Sequence, residues 1–236
     1  MYKTMPSLTL ALAMAMAAIG TTRTAAGQGS YPHMAPLQKY LPASGAAEVA
    51  LARSAAPAAV SENAEILVFG ATGYETAVRG GNGFVCFVGR SWEQDFDAPE
   101  FWNPNIRTPQ CWNAAAAKSE LPDYLERTKW VLAGVSQKEM LSRTKAAWAA
   151  HEFGAPAPQS MVYMMSRDQY IKDPQPGAEA RWRPHVMFYV PATRDATWGA
   201  NVRGGPIFST TSDAEPITTF FVVVPRWSDE SLGPSM

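Results

Sequence analysis

The segment Arg181-Trp182-Arg183-Pro184-His185-Val186-Met187-Phe188-Tyr189-Val190-Pro191 holds the densest chemistry in the chain. Pro184 cannot donate to a sheet ladder, so it marks the first residue of a strand or an edge. His185 therefore stands where a strand leaves a loop. Strand alternation puts His185, Met187 and Tyr189 on one face, with Val186, Phe188 and Val190 on the other. Two roles follow for the imidazole. It can be hydrogen-bonded at the sheet end, holding the 166–184 connection in place. Alternatively it moves a proton or touches a ligand in a cleft with Tyr163 or Asp168. No nucleophile stands beside it in a recognisable pattern, so the structural role carries more weight.

Other reactive patterns fail on spacing. Gly89-Arg90-Ser91-Trp92-Glu93 lacks the second glycine of a nucleophile elbow, and no Walker loop is present. His151-Glu152 has no second histidine at zincin spacing. Asp95 and Asp97 suggest calcium, but the turn glycine and closing bidentate Glu of an EF-hand are missing. Met161, Met164, Met165, Met187 and His185 have the soft donors that suit Cu(I). Alternation separates Met164 from Met165, and methionine also fills irregular cores, so packing is the preferred reading and no metal or cofactor is assigned.

The run from Glu65 to Gly83, EILVFGATGYETAVRGGNG, resembles the opening of a dinucleotide-binding unit. That unit needs a glycine turn that starts a helix, and the third glycine position is Thr76. Tyr74 to Arg79 alternates like a strand, and Asn82-Gly83 has the composition of a type I′ hairpin turn. The segment thus reads as a hairpin over 64–88, with Gly70–Gly73 as a tight bend.

Residues 1–27 carry Lys3, an apolar stretch from Leu8 to Ile19, and a small-residue site at Ala25-Ala26-Gly27. This is the pattern of a secretory signal peptide, with cleavage after Gly27 or after Gly20. Loss of Lys3 and Arg23 with it takes 20 basic residues to 18 against 21 acidic ones, a net charge of −3. Without a basic cluster to displace counterions, nucleic-acid binding is excluded. No later segment is long and apolar enough to span a bilayer. Export to the periplasm or the extracellular space makes a disulfide between Cys86 and Cys111 the expected state, with two buried thiols as the alternative.

Prolines at 32, 36 and 42 mark 28–43 as a disordered leader, followed by one domain over 44–227 and a disordered tail over 228–236. Helices are predicted over 46–56, 114–120, 123–133 and from Gln137 to about Glu152. The last follows a Ser136–Glu139 capping box. Strands are predicted near 161–165, 185–190 and 217–224, with a helical turn near 195–198. Residues 89–112 read as a long Ω-like loop, with Trp92, Trp102 and Trp112 tucked against the core. The fold class is α+β, a mainly antiparallel sheet packed by two or three helices.

GYETAVRGGNGFVCFVGRSW, FWNPNIRTPQCWN, MVYMMS and PHVMFYVP together resemble segments of a group of uncharacterised exported bacterial proteins, from about Val60 to Trp227. The resemblance implies one folded unit and brings no activity, cofactor or partner. The expected function is non-catalytic binding of a small ligand or an envelope protein, with Trp92, Trp102 and Trp112 as candidate contacts. The alternative is an extracytoplasmic hydrolase or other acid–base enzyme using His185.

Overall fold

The computed structural model describes residues 31–172 and 182–234 of the 236-residue chain. The expected signal peptide lies outside the described residues. Eight strands of the described residues form one open mixed sheet: β1 (Glu65–Gly70), β2 (Gly73–Val78), β3 (Val85–Gly89), β4 (Thr108–Trp112), β5 (Met161–Met164), β6 (His185–Pro191), β7 (Ile207–Thr211) and β8 (Ile217–Val223). Their order is β2-β1-β3-β4-β5-β6-β8-β7. Every neighbouring pair is antiparallel except β1 with β3. Among the described residues five α-helices accompany the sheet: α1 (Gly45–Arg53), α2 (Ala58–Ser61), α3 (Ala114–Ser119), α4 (Leu121–Leu132) and α5 (Gln137–Ala149). The single domain is α+β.

The helices start where their caps dictate. Asn113 Oδ1 accepts from Ala116 N–H at 2.9 Å, and Ser136 Oγ accepts from Glu139 N–H at 3.3 Å. Each satisfies an amide that the first helical turn leaves unpaired. Helix α1 covers one face of β1, β3 and β4, where Ile66, Cys86, Val88 and Cys111 cluster with its Ala52 and with Ala55, Ala56 and Ala64 of the following segment. The opposite face carries the larger core, with Phe87, Trp112, Val162, Met164 and Met187 gathered beside Leu121, Tyr124 and Val131 of α4.

Cys86 and Cys111 are direct cross-strand partners of β3 and β4, with Cα atoms 3.9 Å apart, and they form a disulfide. Cys111 therefore belongs to a strand, not to the end of a loop. Pro109 argues against a central strand by its missing N–H. It is accommodated because β5 pairs with β4 only at Cys111 and Trp112, leaving one flank of Pro109 free of that ladder.

The 64–88 hairpin is corrected. Strands β1 and β2 do form a hairpin through Gly70–Gly73, but β3 pairs with β1 in parallel, on the side away from β2. Gly80 to Gly83 is thus a crossing over the start of β1 and not a type I′ turn. A Cβ on Gly80 would lie 2.1 Å from Glu65 N and 2.4 Å from Ala64 C, so only glycine passes there. Glu65 N–H donates to Phe84 O at 2.8 Å and Gly81 N–H to Asn63 O at 2.9 Å, which fixes the crossing.

The described part of the expected leader, 31–43, is packed. Tyr40 is fully buried and its hydroxyl donates to Trp102 O at 2.7 Å. Its carbonyl accepts from Arg90 Nε at 2.9 Å, while Arg90 Nη2 pairs with Glu48 of α1 at 2.7 Å, both side chains out of solvent. Pro36 precedes a short 3-10 turn over Leu37–Lys39, which delivers Tyr40 to the core. The described part of the tail is also held: Ser228 N–H donates to Met165 O at 2.9 Å and Arg226 bridges to Leu232. Strand β7, inside a connection read as irregular, completes the sheet edge. There Asn201 occupies part of its open side by bonding both N–H and C=O of Ser209.

Candidate functional site

Alternation on four strands builds one continuous floor. Gln110 and Trp112 of β4, Met164 of β5, His185, Met187 and Tyr189 of β6, and Ile217, Thr219 and Phe221 of β8 all line a cavity of about 630 Å³. The volume falls in the range of small-molecule sites, roughly 300–1,000 Å³. Its roof is α4, which presents Glu120, Asp123, Tyr124 and Arg127 at helical spacing, with the 93–100 segment and the β7–β8 turn closing the sides.

Glu93 follows β3 in a short 3-10 turn over Ser91–Glu93. Gly89 makes room for it, since a Cβ there would sit 1.8 Å from Glu93 Oε2 and 2.2 Å from Thr108 Oγ1. Oε2 accepts from Thr108 Oγ1 at 2.7 Å, while Oε1 is out of solvent with no hydrogen-bond partner. Burial pushes the Glu93 carboxyl up to about 7 against the lowering effect of Thr108, Gln110 and the Arg127 and Arg90 guanidiniums.

Glu120 repeats the arrangement at the start of α4. Oε1 accepts from Ser119 Oγ at 2.9 Å, and Oε2 is buried without a partner. Burial raises this carboxyl to about 7. Asp123 is raised to about 8, first by burial and then by the charges of Glu215 and Glu120. Glu215 reaches in from the β7–β8 turn to Arg127 Nη2 at 2.6 Å, and the Arg127 guanidinium lies 4.3 Å from the Phe96 ring centre. The Tyr189 hydroxyl feels Glu93, Glu120 and Glu215 together, and burial plus those charges keep it protonated.

The lining is acid-rich. Among the described residues it holds Glu93, Asp95, Glu100, Glu120, Asp123 and Glu215 against Arg127 and Lys172. Arg127 is already committed to Glu215 and to the carbonyls of Trp92 and Gln94, at 3.1 and 3.3 Å. The remaining carboxyls thus face a shortage of positive charge and of N–H donors.

His185 is 2% exposed on the cavity wall, its ring packed by Trp182 and Phe221 at centroid distances of 5.2 and 5.6 Å. Nδ1 lies 2.7 Å from Arg183 O, which can only accept, so Nδ1 carries the proton. Nε2 then presents a lone pair, and it has no partner. Burial lowers the ring to about 4, so it is neutral at physiological pH.

The residues singled out in the sequence divide clearly. Tyr163 pairs with Val186 and faces the opposite side of the sheet, beside Phe84 at 6.2 Å. Asp168 is off the cavity lining, its N–H bonded to Ser166 Oγ at 3.2 Å. Neither joins His185. Trp92 and Trp102 are buried core rings, with Trp92 Nε1 donating to Thr128 Oγ1 at 3.0 Å, so they offer no outer contact surface. Trp112 alone of the three lines the cavity, its indole donating to Gln110 Oε1 at 2.9 Å. The carboxyl set of Glu93, Glu120, Asp123 and Glu215 is not singled out as a site in the sequence. A signal existed in Glu120, Asp123 and Arg127, whose spacing puts them on one helical face.

Among the described residues no group of three or more His, Cys, Asp or Glu is placed to hold a metal. None of their helices is long and apolar enough to cross a membrane. Compared with protein-family models, curated proteins and solved structures, the chain matches none.

Proposed function

We propose that the protein is an exported, disulfide-braced binding domain that holds a small, positively charged organic molecule rich in N–H donors. The observation that carries this is the pair of buried carboxyl oxygens, Glu93 Oε1 and Glu120 Oε2, left without partners on the lining of one cavity. A buried acceptor without a donor costs roughly 1–3 kcal/mol, so such atoms mark a place where a bound partner stabilises the whole. An ammonium or amidinium group supplies both the donors and the positive charge that the lining lacks. Trp112, Tyr189 and Phe221 offer aromatic faces for its apolar part. The signal-like residues 1–27 and the Cys86–Cys111 bridge support export.

The test is a thermal-shift and calorimetric comparison of amines and amidines, such as phenethylamine, benzamidine and agmatine, with neutral isosteres. Wild type binds cations, and affinity rises as pH passes through 7 to 8 and the carboxyls ionise. Thr219→Trp, which fills the floor, abolishes binding while the fold persists. Equal binding of the neutral isosteres, or no binding by any cation, contradicts the reading.

A second reading is favoured by the same near-neutral carboxyls, because groups with pKa near 7 exchange protons efficiently at that pH. In an acid–base enzyme of this shape the working groups are Glu93 and Glu120. His185, neutral and parted from Tyr163 and Asp168, is less suited. Turnover of chromogenic glycosides or esters that disappears in both Glu93→Gln and Glu120→Gln supports that reading.

A further inference from the structure

We propose that Met164, His185 and Met187 form a Cu(I) site on the cavity floor, with two thioether sulfurs and one imidazole nitrogen as ligands. Met164 of β5 and His185 of β6 are direct cross-strand partners, and Met187 lies two residues beyond His185 on the same face. Side chains of such pairs stand roughly 4.5–5.5 Å apart at Cβ, with diagonal neighbours at roughly 7–8 Å, within reach of flexible methionines. All three residues line the cavity and all three are buried.

The imidazole is prepared as a ligand. Its Nδ1–H donates to the Arg183 carbonyl at 2.7 Å, the outer-shell bond that fixes tautomer and ring orientation at metal-bound histidines. Its Nε2 carries an unshared lone pair with no partner and is out of solvent. The rings of Trp182, itself exposed, and Phe221 pack against the imidazole. Thioethers with imidazole are a soft donor set that selects Cu(I) over harder divalent ions. The described residues lack a cluster of three or more His, Cys, Asp or Glu that would hold those harder ions. Binding involves no electron transfer: the ion arrives as Cu(I) and the three ligands donate lone pairs. Met161 and Met165 take no part. Met161 alternates to the opposite face of β5, and Met165 lies beyond the strand and off the lining.

The site lies on the floor of the cavity that the organic ligand proposed above would enter, but its three ligands are not among that ligand's carboxyl partners, so copper binding is tested with no organic cation present. Its test is anaerobic titration of the disulfide-intact protein with Cu(I) in competition with bicinchoninate. Wild type withdraws copper stoichiometrically. Met164→Leu and Met187→Leu conserve volume and should keep the fold. Each weakens binding by roughly a hundredfold or more, since loss of outer-shell partners alone costs about ten- to a hundredfold. Met161→Leu changes nothing, and X-ray absorption shows sulfur and nitrogen in the first shell. Failure of wild type to compete, unchanged affinity in the Met164→Leu/Met187→Leu double variant, or a shell without sulfur overturns the proposal.

Discussion

Glu120→Gln isolates the cost of holding a carboxyl in this cavity. Glu120 is 6% exposed, and burial raises it from 4.5 to about 7 in the folded protein. A folded acid with a raised pKa keeps a proton that the unfolded chain has lost. Stability contributed by that proton is present below pH 4.5 and drains away as pH rises through 7. The displacement corresponds to about 3 kcal/mol at pH 8 and above. Glutamine is neutral throughout, so the variant does not lose it. Wild type and Glu120→Gln should therefore melt alike near pH 4.5 and diverge towards pH 8.5, with the variant more stable. In a chain of this size 1 kcal/mol moves Tm by about 2–4 °C, so the gap should reach roughly 6–12 °C. Melts followed by circular dichroism at half-unit pH steps measure it directly. A gap that is constant with pH, or a variant that is less stable at pH 8.5, would show that Glu120 is not a desolvated acid.

Three further outcomes follow from the fold. Replacing either cysteine with alanine opens a bridge across a sequence separation of 25 and should cost about 3 kcal/mol, read from urea unfolding, with m rising because the uncrosslinked denatured chain exposes more surface. Gly80→Ala puts a methyl against the backbone of residues 64 and 65 and should destabilise by more than about 2 kcal/mol, with greater protease sensitivity around 79–84. Glu48→Ala strands the fully buried Arg90 charge and should cost about 3–5 kcal/mol; a Glu48→Leu/Arg90→Met double variant should recover part of that, and no recovery would contradict it.

Much of the scaffold was legible because its signals are local. Asn113 and the Ser136–Glu139 box announce their helices, and alternation in MVYM and HVMFYVP announces β5 and β6. Signals that depend on distant partners were misread. Asn82-Gly83 has hairpin composition, yet the strand after it pairs with β1 and not with β2. Pro109 disguised β4, and three prolines disguised a segment that Tyr40 anchors in the core. For the site, His185 and Trp112 stand out in the sequence and do line the cavity, whereas Tyr163 and Asp168 do not. The cavity's carboxyls come from three places far apart in sequence: Glu93 after β3, Glu120 and Asp123 at the start of α4, and Glu215 between β7 and β8. Two of these have an oxygen that lacks a partner, a property that appears only when the fold is assembled.

The most direct test of the binding reading is a high-resolution crystal structure of the disulfide-intact protein, purified without denaturation and soaked with benzamidine. The account predicts an amidinium in the cavity, donating to Glu93 Oε1 or Glu120 Oε2 with its ring against Trp112 or Tyr189. A cavity in which both oxygens bond only to ordered water, at benzamidine concentrations well above those used in calorimetry, would contradict it.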